Sequence, residues 1–280
     1  MLTYLKVKTS LLTTFLICFC SCKKNISPST FDYGTENDTA LFYYQRGWQQ
    51  IMDNGEWTLA EVSFRKASES DPDFILAKCL KGRISQDLEE REKLLGEIIA
   101  TEEKASQDQK LLIEVYKSSL QLMNKREAGI KLDKSTISDH YKLSEKNTRK
   151  FVHKYPNEDY VKAEYIEILH ANHGAELALD SMNTIAASNQ LELPFYLGYA
   201  AAMQAELSNF EEALQLLDKQ RKVLNDSLKP QFYASSAEVY FEMDSIKLAR
   251  KYIDKAVKLD SNHLIAKGLQ KKISLIDYKL

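Results

Sequence analysis

Leu111, Leu112, Val115, Tyr116, Ser119, Leu120 and Met123 recur with a 3.6-residue period, the pattern of a helix with one buried face. Leu88, Leu94, Leu95, Ile98 and Ile99 mark a second such helix, following one in which Gly82 is the small residue. Phe151 and Val152, ahead of Tyr155-Pro156, predict the end of another, and Tyr160 to Ala187 predicts a helix pair around Gly174. Two stretches break the pattern. Lys125 to Ser138 is polar and predicts a connection of altered length. Residues 23–40 carry scattered Pro, Gly and Ser, a linker composition that reaches about 24 Å root-mean-square if flexible. The folded body is therefore expected to start near Leu41.

A 34-residue frame recurs within this body. In residues 41–74, Tyr43-Tyr44-Gln45-Arg46-Gly47-Trp48 leads through Gly55-Glu56-Trp57 to Ala60, Phe64, Ala67 and Asp71-Pro72. In 230–263, Tyr233, Ala237 and Tyr240 lie on the first helix and Ala249, Ile253 and Ala256 on the second. A third copy, 194–227, carries Leu197, Ala201, Phe210, Ala213 and Leu217, with Gln220 where the last small residue is due. Pro194 and Pro230 suit a first helical turn. The spacing has a physical reason: a small residue lets the second helix cross the first, aromatic residues fill the interface, and glycine turns the chain.

These three copies resemble the tetratricopeptide repeat. The departures are Trp48, where Gly or Ala is usual, and Gln220. The resemblance implies an all-α, right-handed superhelical solenoid of about six helix pairs, closed by a capping helix at Leu264–Tyr278, with each pair stacking on its neighbours. It also implies that the first helix of each pair lines a concave groove through positions 2, 5, 9, 12 and 13 of the frame. Those are Phe42, Gln45, Gln49, Met52 and Asp53 in the first copy; Phe195, Gly198, Ala202, Ala205 and Glu206 in the second; and Gln231, Ala234, Glu238, Phe241 and Glu242 in the third. Position 13 is acidic in all three copies. The Lys and Asn side chains with which related domains clamp a terminal carboxylate are absent, so the expected partner is a polypeptide segment with basic and apolar side chains.

Composition agrees with a helical chain. There are only 9 Gly and 5 Pro in 280 residues, and a net charge of −2 gives no ground for a nucleic-acid partner. Charge is unevenly spread. Residues 32–73 hold nine acidic and three basic side chains, and residues 247–280 hold nine basic and three acidic ones. The basic end reads first as helix-end lysines solvating the cap, and second as a surface for an acidic partner or anionic lipid.

Lys6 and Lys8 precede 14 uncharged residues, Thr9 to Cys22. That is about 21 Å as a helix, too short for a span of roughly 30 Å, and it reads as a secretory signal. Phe19-Cys20-Ser21-Cys22 resembles the bacterial lipoprotein box, with Ser21 as the small residue before the acylated Cys22. This implies a signal peptide at 1–21, a lipidated tether at 22–40 and a solenoid at 41–280. Lys23 rather than Asp after the lipid cysteine implies the periplasmic face of the outer membrane. Cys79, in the apolar run from Ile75 to Leu80, is read as a core residue.

No nucleophile motif, phosphate loop or dinucleotide loop is present, and no cofactor, catalytic residue or metal site is expected. His170-Ala171-Asn172-His173 has metal-like spacing, but helix-end histidines before Gly174 are the first reading. The sequence thus reads as a non-enzymatic, lipid-anchored scaffold binding a polypeptide in its groove. The alternatives are a small-molecule or glycan-binding lipoprotein linked to uptake, and a metal-dependent hydrolase resting on His170 and His173.

Overall fold

The computed structural model describes residues 30–225 and 228–277; the lipobox cysteine Cys22 and the signal segment lie outside them. Among the described residues the chain is all-α, a helical-repeat solenoid without strands. Six helix pairs follow one another: α1 Asp38–Gln49 with α2 Trp57–Ser70, α3 Ile75–Ile84 with α4 Leu88–Thr101, and α5 Gln107–Glu127 with α6 Lys134–Lys154. Then come α7 Asp159–His173 with α8 Ala175–Ile185, a single turn α9 Ser188–Leu191, α10 Pro194–Glu206 with α11 Phe210–Leu224, and α12 Pro230–Glu242 with α13 Ile246–Leu259. The capping helix α14 spans Leu264–Asp277. No helix among the described residues is long and apolar enough to cross a membrane.

Local chemistry sets the boundaries. Ser106 and Gln109 form a reciprocal capping box at the start of α5, satisfying two otherwise orphaned groups. Asn37, Asp87 and Asp133 cap α1, α4 and α6 with side-chain oxygens. Pro194 and Pro230 open α10 and α12, where the missing N–H has no acceptor to lose. Gly174, at φ +87°, makes the turn between α7 and α8. The stretch Lys125–Ser138 divides into the end of α5, a short loop and the start of α6, and both of these helices are 21 residues long.

Two expectations are corrected. Residues 30–40 do not behave as linker. Phe31 is 4% exposed and packs edge-on against Phe151 and Tyr155. The Tyr33 hydroxyl donates to Glu158 at 2.5 Å, and α1 already begins at Asp38. Two aromatic residues in a polar stretch are enough to dock it. The second correction concerns register in the first copy. A π turn, Gln50–Asn54, extends α1 and absorbs one extra residue. Gly47, not Trp48, is therefore the small residue at the crossing, where a Cβ would lie 2.5 Å from the Phe64 ring. Trp48 and Tyr44 turn inward, 5% and 1% exposed, in place of Gln49 and Gln45.

The stack also closes on itself. The π turn packs against α10 and α12. Asp53, within it, accepts from the Tyr160 hydroxyl at 2.8 Å and from the Phe195 amide at 3.2 Å. Trp48 stacks on Tyr160 with ring planes 9° apart. At the other edge Asp260, after α13, accepts from the Thr58 amide and hydroxyl at 2.8 and 2.7 Å. Lys229 pairs with Glu56 at 2.7 Å, and the His263 ring lies against Trp57. The first helix pair thus touches the last.

Candidate functional site

Closure turns the concave side into a cavity of about 240 Å³. Every first helix of a pair contributes to its wall: Trp48 from α1, Leu80, Arg83 and Ile84 from α3, Ser119 and Met123 from α5, Glu164 and Glu167 from α7, Phe195 from α10 and Gln231 from α12. The π turn adds Ile51 and Met52, α2 adds Trp57 and Phe64, and the capping helix adds Leu264 and Ile265. The last two are exposed large apolar residues.

Polar groups converge on one wall. The Arg83 guanidinium donates to Glu164 at 2.6 Å and lies 4.7 Å from the centre of the Tyr116 ring. The Tyr116 hydroxyl donates to the other Glu164 oxygen at 2.8 Å. Glu164 is therefore fully engaged. Glu167, one turn further along α7, has no hydrogen bond or ion pair among the described residues. Burial, reinforced by the negative charge of Glu164 and Glu238 and opposed by Arg83, pushes its carboxyl up to about 8. Burial and Glu242 push Glu238 up to about 7. The Tyr199 hydroxyl is held above its usual range, by burial first and then by Glu167, Glu238 and Glu206. An acidic face thus runs from α7 across α10 to α12.

The sequence-predicted groove residues separate into five groups. Met52, Phe195 and Gln231 line the cavity. Glu206, Glu238 and Glu242 belong to the acidic face, and Glu206 accepts from His170 Nε2 at 2.8 Å. Phe42, Gln45 and Gln49 line a separate surface depression with Arg46, Glu158 and Asp159, as the one-residue shift before the π turn requires. Asp53 is 4% exposed and holds the closure together. Phe241 is covered on one ring face by Lys272 of the capping helix, 4.3 Å from its centre.

The two histidines with metal-like spacing point to different partners: His170 to Tyr199 and Glu206, His173 to Glu145. Among the described residues no group of three or more His, Cys, Asp or Glu converges as a metal site. Cys79 is fully buried, and burial pushes its thiol up to about 12. Arg83, Glu164 and Glu167 escaped the sequence reading because they lie in the stretch without a clear frame. The one available signal was Glu164 and Glu167 at i, i+3 on a helix. No protein-family model matches the chain, and no curated protein sequence matches it at a significant level.

Proposed function

We propose that the protein is a non-enzymatic binding scaffold of the bacterial cell envelope, built from tetratricopeptide-type repeats. In this reading it is anchored by lipid on Cys22 at the periplasmic face of the outer membrane. Its inner face receives a partner polypeptide segment that carries basic and apolar side chains. The observation that carries this reading is the pairing of an apolar cavity with the acidic face of Glu167, Glu206, Glu238 and Glu242. An acidic face beside apolar walls favours cationic, amphipathic ligands and repels acidic ones.

The test is capture of partners from crosslinked membranes with three tagged proteins. The wild type is expected in the membrane fraction with a bound protein. Cys22→Ser should be lost from that fraction. Glu206→Lys with Glu242→Lys should stay there, keep its helicity and lose the partner, with the wild-type complex weakening as salt rises. Undiminished capture by the double variant would remove the inner face from the mechanism.

A further inference from the structure

We infer that the central cavity holds one basic side chain of the partner segment, a lysine or arginine whose apolar stem lies among Trp48, Trp57, Phe64 and Phe195 and whose cation meets Glu167. This rests on the proposed reading of the inner face and names the group that face reads.

Size argues for a single side chain. A cavity of about 240 Å³ holds about eight water volumes, below the roughly 300–1,000 Å³ usual for drug-sized ligands. The wall chemistry argues for a cation on an apolar stem. Two tryptophans and two phenylalanines line the space, and aromatic faces attract ammonium and guanidinium groups. An anionic guest would need Arg83, but that guanidinium is already held by Glu164 and Tyr116. The unengaged charge-bearing group in the wall is Glu167.

Binding is then linked to protons. The groups facing Glu167 are Arg83 from α3, Glu164 on its own helix, Tyr199 from α10 and Glu238 from α12. Tyr116 of α5 is turned to Glu164. With two carboxyls and one cation facing it, and with burial the larger cause, the unliganded site keeps Glu167 protonated at neutral pH, its carboxyl lying near 8. An entering cation favours the carboxylate and releases that proton to solvent. Affinity should rise with pH, by close to tenfold per unit below 8, while a lysine stays charged up to about 10.

The chain's two tryptophans, Trp48 and Trp57, both line the cavity, so their fluorescence reports its occupancy. The full chain is titrated with acetyl-Leu-Lys-Leu-amide, its norleucine counterpart and hexylamine, at pH 6 and pH 8.5. The lysine peptide is expected to bind at least tenfold more tightly than the norleucine peptide at pH 8.5, and to weaken at least tenfold at pH 6. Glu167→Gln should lower its affinity to that of the norleucine peptide and flatten the pH profile. Retained norleucine-peptide binding and helicity show that the variant is folded.

Equal affinities for the two peptides, or an unchanged pH profile in Glu167→Gln, would overturn the assignment. A response to hexylamine alone would overturn the side-chain source in favour of a free amine. If no probe binds while the Glu206→Lys, Glu242→Lys variant still loses its partner, the cavity assignment falls and the partner reading stands. If the lysine peptide binds and that variant captures its partner undiminished, the partner reading falls instead.

Discussion

Asp53→Ala is expected to destabilise the protein by about 2–3 kcal/mol, because it strands a buried amide and a half-buried hydroxyl, an unsatisfied buried donor costing roughly 1–3 kcal/mol. The carboxylate accepts from Tyr160 on α7 and from the Phe195 amide on α10. Both partners are more than 100 positions away in the chain. Burial raises the Asp53 carboxyl, outweighing those two hydrogen bonds, so relief of a costly buried charge offsets part of the loss. Glu242→Ala, at the same frame position but exposed, should change stability by less than about 0.5 kcal/mol. The comparison is read from urea midpoints at constant slope. Equal midpoints for the two variants would mean that Asp53 does not hold the first helix pair to the rest.

Gly198→Ala should cost about 2–3 kcal/mol through overpacking and a broken buried amide contact. In an ordinary helix the same change would gain up to about 1 kcal/mol in propensity. Here a Cβ would stand 2.2 Å from the Gln220 side-chain nitrogen and 2.4 Å from Ser235 Oγ. Gln220 is fully buried and donates to the Pro194 carbonyl at 2.9 Å and to Ser235 at 3.2 Å. The two substitutions should therefore be coupled: the double variant should lose less than the sum of the two single losses, as a double-mutant cycle would show. Additive losses would mean that the missing side chain at 198 has another reason.

That pair shows what the sequence made legible and what it did not. The repeat frame located the starts of α10, α12 and α14, because Pro194, Pro230 and the small residues Ala201, Ala213, Ala237 and Ala249 report helix starts and crossings directly. Gln220 stood out as a departure, but its compensation by Gly198, 22 positions earlier, depends on how two helices cross. The π turn was invisible for a similar reason. One inserted residue leaves Ala60 and Phe64 in frame and shifts only the turns before it, so the frame gives Phe42, Gln45 and Gln49 to the inner face, where the structure puts Trp48. Phe31 and Tyr33 were submerged in a polar stretch whose average composition resembles linker. Closure could not be read at all. The contacts that make it join residues 142 and 202 positions apart, and no local period encodes them. The Arg83, Glu164 and Glu167 wall is a product of that closure.

Two backbone amides test closure, and with it the central cavity, most directly. Thr58 and Phe195 are second residues of α2 and α10, and amides in a first helical turn have no acceptor within their own helix. Here each donates to a carboxylate brought by the opposite end of the stack, Asp260 and Asp53. Glu211 and Lys247 occupy the same position in α11 and α13 and are exposed. Amide-resolved hydrogen exchange should find Thr58 and Phe195 slower than Glu211 and Lys247 by on the order of 10²-fold or more, the protection of a stably closed contact. Exchange of all four at the same fast rate would show an open solenoid in solution, with a groove and no cavity.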